Sequence, residues 1–252
     1  MDEAERLAQV YRGYEQDPAA QARWSGTNVG NRWIAKERER AIVTLLQSHG
    51  FLPLQEKRVL DIGCGRGAVL AGLTDLGAQP RNLYGVDLLP DRIETARQAY
   101  PDICFICGNA ESLDFPDAHF DLVLLFTVLS SILDDRMAHN VAREAYRVLK
   151  PGGAVLWYDF RYNNPWNPHV RGITREQIQQ LFPGLEMHLS TITLMPPLAR
   201  RLGRLTPVLY PILAAIPPLR THYLGLLVRP LTTLRMAGSG KEICSGITPS
   251  VR

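Results

Sequence analysis

The segment Val59-Leu60-Asp61-Ile62-Gly63-Cys64-Gly65-Arg66-Gly67 joins an apolar run to a glycine-spaced turn, with a carboxylate two residues ahead of the first glycine. Glycines at such a turn let the backbone come close to a ligand and leave amide donors free where a helix begins. Twenty positions after Gly67, a second apolar run ends in Asp87, where a carboxylate can accept hydrogen bonds from two ribose hydroxyls. The chemistry these residue types serve is the binding of an adenosine-containing cofactor. Two kinds of cofactor compete for it. Gly63, Gly65 and Ala68 also satisfy the G-x-G-x-x-A fingerprint of dinucleotide binders, which would make the chain a nicotinamide-dependent oxidoreductase. Asp61 opposes that reading, because a carboxylate there attracts a cationic amino-acid group and repels a pyrophosphate.

Candidates for the reaction itself are Asp159 and His169. Both belong to the stretch that runs from Tyr158 to Arg171, just beyond an apolar run, and ligands of open α/β sheets collect beyond strand ends. His169 titrates near neutrality and could take a proton from a hydroxyl, while Asp159 could orient an acceptor or a base. A single loop histidine is as a rule a surface or hydrogen-bonding residue, so this role stands as an expectation. Arg161 and Arg171 are read as anion or structural contacts. Cys104 and Cys107 have the C-x-x-C spacing of a zinc or redox site, but residues 103–107 read as a buried strand. Residues three apart on a strand point to opposite faces, so joint ligation, and with it a metal, is not expected.

These residues need a scaffold, and the apolar pattern supplies one. Residues 3–16 and 33–49 carry helical apolar spacing, so two helices precede the first strand. Short apolar runs at 59–62, 83–86, 103–106, 122–125 and 154–157 then alternate with helix-length segments. Strands without polar alternation, separated by helices, indicate a parallel sheet covered on both faces. Pro151 with Gly152 and Gly153 ends one helix and turns into the fifth strand, and Thr174 with Gln177 forms a capping-box pattern that opens another helix. Two last strands are expected at 187–194 and 222–228, with an insertion at 195–221 between them.

Here the chain resembles the class I methyltransferases that use S-adenosylmethionine, in particular the group with the pattern D-x-G-C-G-x-G. Gly85-Val86-Asp87-Leu88 looks like that family's ribose-binding strand end. Gly108-Asn109-Ala110-Glu111-Ser112-Leu113 resembles its adenine-bracketing segment, Phe120-Asp121-Leu122-Val123 its fourth strand, and Leu149-Lys150-Pro151-Gly152-Gly153 the turn into its fifth. The resemblance covers about residues 57–160 in the family's order. It implies an α/β Rossmann-like fold, a seven-stranded mixed sheet with helices on both faces and the last hairpin strand antiparallel. It also implies that Asp61, Gly63, Cys64, Gly65 and Gly67 meet the methionine part of the cofactor, Asp87 and Leu88 the ribose and adenine, Asn109, Ala110 and Glu111 the adenine, and Phe126 and Thr127 the sulfonium. In similar enzymes a segment like residues 24–33 closes over the cofactor.

The expected layout is an N-terminal helical cap (1–50), a methyltransferase domain (51–231) with 195–221 as a lid-like apolar insertion, and a flexible tail (232–252). The chain has 252 residues, 46% of them hydrophobic, enough for one substantial core. Its net charge of +3, from 28 basic and 25 acidic side chains, is too balanced to mark a nucleic-acid binder. Four cysteines and an acidic start without an apolar core point to the cytoplasm. The insertion combines leucines, isoleucines and prolines with Arg200, Arg201, Arg204 and Arg220. It reads either as a lid over a greasy acceptor that rests on the inner face of a membrane, or as packing with a solvated basic face. The expected activity is methyl transfer to a small-molecule, glycan or lipid-linked acceptor, with O-methylation leading. A catalytically silent cofactor-binding subunit is the non-enzymatic alternative.

Overall fold

In the computed structural model the structure describes residues 2–165 and 167–231. The expected flexible tail, with Cys244, lies outside the described residues. Three helices, rather than two, precede the sheet: α1 (Glu3–Gln16), α2 (Pro18–Trp24) and α3 (Val29–Ser48). Asp2 and Glu5 close a capping box at the start of α1. Asp17 caps α2 and Pro18 opens it, signals that seven residues are too few to back with an apolar period. Asn28 accepts a hydrogen bond from the Asn31 amide, so α3 starts at Val29, ahead of its expected start.

The strands are β1 (Val59–Ile62), β2 (Leu83–Asp87), β3 (Cys104–Cys107), β4 (Phe120–Phe126), β5 (Leu149–Phe160), β6 (Glu186–Leu194) and β7 (Arg220–Val228). They form one sheet in the order β3-β2-β1-β4-β5-β7-β6. β1 through β5 pair in parallel, and β7 runs antiparallel to both β5 and β6. This is the mixed Rossmann-like sheet that the resemblance implies. Its helices are α4 (Ala68–Gly72), α5 (Pro90–Ala99), α6 (Asp135–Val148) and α7 (Arg175–Leu181), with α8 (Pro196–Arg201) and α9 (Thr206–Ala214) in the insertion. The Thr174–Gln177 capping box opens α7 as expected.

Side chains alternate across the sheet, as a strand's period of two requires. Leu60, Ile62, Val123 and Trp157 pack on one face against α6 and α7, and Val59, Leu122, Leu124 and Leu156 on the other against α3. Trimming one of these, for instance Leu124→Ala, costs about 2–5 kcal/mol, because the lost contacts leave a cavity that only partly collapses. The reading of residues 103–107 as a buried strand needs correction. β3 pairs with β2 alone, so it is the edge of the sheet, and Cys104 and Cys107 are both exposed.

Candidate cofactor-binding site

A cavity of about 190 Å³ opens at the C-terminal ends of the central strands, where Ile62, Gly63, Val86, Asp87, Phe126 and Thr127 line it. The chain turns sharply at two of these positions. A Cβ on Gly63 would stand 2.7 Å from Val128 Cγ2, and its φ is +73°, so only glycine fits there. Thr127 has φ +55° without being glycine, an uncommon conformation held by its amide donating to the Tyr158 carbonyl at 2.7 Å. Backbone strain of this kind concentrates at functional sites.

The Asp87 carboxylate is fixed from both sides. Oδ2 accepts from the Gly65 amide and Oδ1 from the Leu89 amide, each at 2.9 Å. The glycine turn is therefore braced by the same carboxylate that is expected to meet a ribose, and each oxygen keeps a second lone pair for it. Asp61 is buried next to it. Burial first, and then the charge of Asp87, push the Asp61 carboxyl up to about 8, against the pull of the Arg38 guanidinium. No hydrogen-bond donor reaches Asp61 among the described residues.

Of the expected cofactor contacts, Gly63, Asp87, Leu88, Asn109, Ala110, Phe126 and Thr127 line the cavity together. The rest, Asp61, Cys64, Gly65, Gly67 and Glu111, lie outside the lining. Cys64 turns its thiol away into the core beneath Gly85, where burial pushes its pKa up. Gly67 caps α4 and lies against the Phe105 ring, which a Cβ would meet at 2.6 Å. Glu111 points at neighbours rather than into the cavity: its carboxylate accepts from Asn140 Nδ2 at 2.8 Å and from Asn109 Nδ2 at 3.1 Å. Glu111 thus orients Asn109, which lines the cavity, while Glu111 itself lies outside the lining.

The two candidate catalytic residues, His169 and Asp159, both lie outside the cavity lining. His169 is exposed and its ring stands 6.5 Å from that of Tyr14, away from the cavity lining. Asp159 is buried, and its Oδ2 accepts from the Ser130 amide at 3.0 Å while Oδ1 accepts from the Phe160 amide at 2.8 Å. Burial pushes it up to about 6, the hydrogen bonds from Ser130 partly offsetting this. Its work is to hold the loop that carries Ser131 to the cavity. Arg171 pairs with Asp135 at 2.5 Å, a structural contact.

The cavity also contains residues that motif reading passes over. Leu7 and Tyr11 bring α1 over it, with the Tyr11 hydroxyl 2.8 Å from Ser131 Oγ and Arg92 stacked 4.5 Å from the Tyr11 ring. Arg38 of α3 stands outside this lining, its guanidinium 5.3 Å from the Tyr158 ring and 5.8 Å from that of Phe126, which does line the cavity. Its buried Nε has no partner. Ile34, Arg38 and Ile42 repeat at helical spacing, so a charge on an apolar helix face is the signal that marks Arg38. Residues 24–33 do not line the cavity. They pack on the insertion instead: Arg200 Nε donates to Asn31 Oδ1 at 2.9 Å, and a Cβ on Gly30 would run into the Ala199 carbonyl.

A mixed α/β sheet whose parallel part carries a glycine turn, two buried acids and a cavity at its strand ends has the arrangement of nucleotide-cofactor-binding folds. Comparison with known proteins narrows the class. Residues 60–157 match the family model described as a methyltransferase domain. A phthiotriol/phenolphthiotriol dimycocerosates methyltransferase of Mycobacterium ulcerans is 30% identical over 182 residues, 70% of this chain and 63% of that protein. A fatty-acid O-methyltransferase of Mycolicibacterium smegmatis is 34% identical over 151 residues, 59% of this chain and 51% of that one. The chain thus spans between half and two thirds of the length of these relatives. A SAM-dependent methyltransferase from Methanosarcina mazei shares the fold, with a TM-score of 0.54 and 20% identity over 73% of this chain and 97% of its own. Residues 60–157 thus match a methyltransferase domain, and S-adenosylmethionine is the cofactor that the sequence resemblance to class I methyltransferases implies.

The residues present fit that cofactor. Asp61 and Asp87 are two close carboxylates with Arg38 as the nearby cation, an arrangement that a ligand carrying both positive charges and a carboxylate would complement. The cation with an orphaned Nε suits a carboxylate, and Leu88 with Ala110 offers apolar flanks for a flat base.

Proposed function

We propose that the chain is an S-adenosylmethionine-dependent methyltransferase that methylates an oxygen of a lipid-linked acceptor. The observation that carries the cofactor half is the buried Asp61 beside Asp87, which a cationic ligand stabilises and a pyrophosphate would not. When bound, S-adenosylmethionine supplies an electrophilic methyl group on a sulfonium. Asp87 takes the ribose hydroxyls, Leu88 and Ala110 flank the adenine, and Asn109, steadied by Glu111, meets its edge. Asp61 and Arg38 hold the charged amino-acid end, and Phe126 and Thr127 face the reacting centre. Alignment of the two reactants can supply much of such an acceleration.

The acceptor half rests on what the cavity offers. Among the described residues that line it, the only carboxylate is Asp87, which is committed to the glycine turn, and there is no histidine or lysine. An oxygen already ionised near neutral pH needs no base, which favours a carboxylate or an acidic hydroxyl over an alcohol. The names of the mycobacterial relatives, one a fatty-acid O-methyltransferase, favour a lipid acceptor. The test is incubation of the chain with methyl-labelled cofactor and long-chain fatty acids. Label that is extracted into organic solvent and released by alkali, as from a methyl ester, is the expected result. Alkali-stable label would move the reaction to carbon or an ether oxygen, and no label on any lipid would remove the acceptor class.

A further inference from the structure

The insertion leaves β6 and enters β7 at the edge of the sheet where the cofactor cavity opens, since Leu194 and Arg220 pair there beside the end of β5. Within it, α9 packs on α3 through one narrow stripe. Thr206, Tyr210 and Ala214 are buried, with Trp33 and Tyr210 rings 5.7 Å apart and the Tyr210 hydroxyl donating to Glu37 at 2.7 Å. The opposite stripe is also apolar, and it is left exposed by the described residues. Leu205, Val208, Ile212 and Ile216 are 60%, 63%, 58% and 44% exposed, at the i, i+3, i+7, i+11 spacing of one helix face. Pro207 and Pro211 are exposed between them. A helix apolar all round normally lies in a core, and large contiguous apolar patches on a soluble surface mark an interaction site.

The rim of this patch states what covers it. Arg201 and Arg204 are exposed at its N-terminal end, and Arg200 lies 4.6 Å from the ring of Trp24, itself 58% exposed beside Arg23. Between Glu186 and Glu242 the sequence has no acidic residue. An apolar face with an arginine border and an exposed tryptophan matches an anionic lipid surface, where the aromatic ring sits at headgroup level and the cations above it. No described helix is long and apolar enough to cross a membrane, so the contact lies along the surface.

We propose that the outer stripe of α9, with Trp24 and the arginines at its rim, docks the chain on an anionic lipid bilayer; its purpose, though not its existence, rests on the reading of a lipid-linked acceptor. Docked this way, the cavity edge of the sheet is turned toward the membrane that holds the acceptor.

Flotation of the full chain with vesicles, without cofactor, tests it. The expected result is binding to mixed phosphatidylglycerol–phosphatidylcholine vesicles and much less to phosphatidylcholine alone. The Val208→Glu/Ile212→Glu pair should lower vesicle affinity by about tenfold or more while leaving S-adenosylmethionine affinity unchanged, as exposed side chains allow. Arg201→Gln and Arg204→Gln should each cost about fivefold on anionic vesicles and nothing on neutral ones. Failure of the unaltered chain to float with anionic vesicles overturns the proposal. So does a dimer in sedimentation equilibrium that the Glu pair splits, since the stripe would then cover a second copy. Vesicle binding without lipid methylation would refute the acceptor reading alone.

Discussion

The two halves of the sheet treat buried charge differently. At the ends of β1 and β2, Asp61 has no hydrogen-bond donor among the described residues, stands beside a second carboxylate and is pushed up to about 8. On the β5–β7 side the carboxylates are hydrogen-bonded internally, although Trp157 Nε1 and Arg161 Nε have no hydrogen-bond partner among the described residues. Asp159 takes two backbone amides, Tyr158 shares a hydrogen bond of 2.9 Å with Thr193, and Glu37 accepts from Tyr210 and from the Thr193 amide. His222, stacked 4.7 Å from Tyr158, is pushed down to about 3 by burial and by Arg38, and is held neutral. A satisfied buried group is scaffold; a buried acid whose ionised form lacks partners holds its proton until a cationic ligand arrives, and there such a ligand gains most.

The sharpest way to break this contrast is to remove one carboxylate from each half. Asp87→Ala deletes two amide contacts and the expected ribose contacts, so S-adenosylmethionine affinity should fall by at least about tenfold, since even one charge-assisted hydrogen bond is worth about 1.5–3 kcal/mol. Asp159→Asn should leave that affinity within about threefold and show its effect in a lowered thermal midpoint, since one acceptor of the loop is weakened. Calorimetry and thermal unfolding of both variants check this; equal loss of affinity would erase the distinction.

Arg38 lies on the seam between the halves. Arg38→Met keeps most of the packing on Phe126 and Tyr158 but removes the cation, so cofactor affinity should fall by roughly tenfold and the Asp61 carboxyl should rise above its present value. An unchanged affinity would assign Arg38 to the scaffold.

The pH dependence of stability sharpens the contrast further. Asp61 at about 8 and Asp159 at about 6 both hold their protons more tightly folded than unfolded, where a carboxyl titrates near 3.8. The folded chain therefore binds more protons across this window, and its stability should fall as pH rises from 4 toward 8. Asp61→Asn should flatten the curve above pH 6 and reduce its slope below, while Asp159→Asn should reduce the slope below pH 6 only. S-adenosylmethionine, by favouring ionised Asp61, should restore stability at the upper end. Denaturant titrations at stepped pH measure it. The smallest effect belongs to His169→Ala, which should leave kcat/KM within about twofold, the range expected of an exposed side chain away from the site.

What could be read along the chain follows the same division. The glycine turn, Asp87 and the ends of β2 and β4 are local: a strand followed by a fixed spacing places those residues wherever the sheet forms. Seven strands came out close to their expected places for that reason. Tyr11 and Arg38 depend on how α1 and α3 close over a sheet that follows them by tens of residues, and no local spacing encodes that approach. Asp159 was legible as a strand-end acid, but whether it faces a ligand or a loop amide depends on the path of residues 127–133. The exposed stripe of α9 was visible as apolar sequence, while its lack of cover became visible only once Tyr210 and Ala214 were seen to take the buried side.

The most direct test of the central claim is titration calorimetry of the chain at pH 7 with S-adenosylmethionine and, separately, with NADH, in two buffers of different ionisation enthalpy. The account predicts that S-adenosylmethionine binds, that NADH does not, and that binding releases a proton from Asp61, a release absent in Asp61→Asn. Binding of NADH in place of S-adenosylmethionine would contradict it.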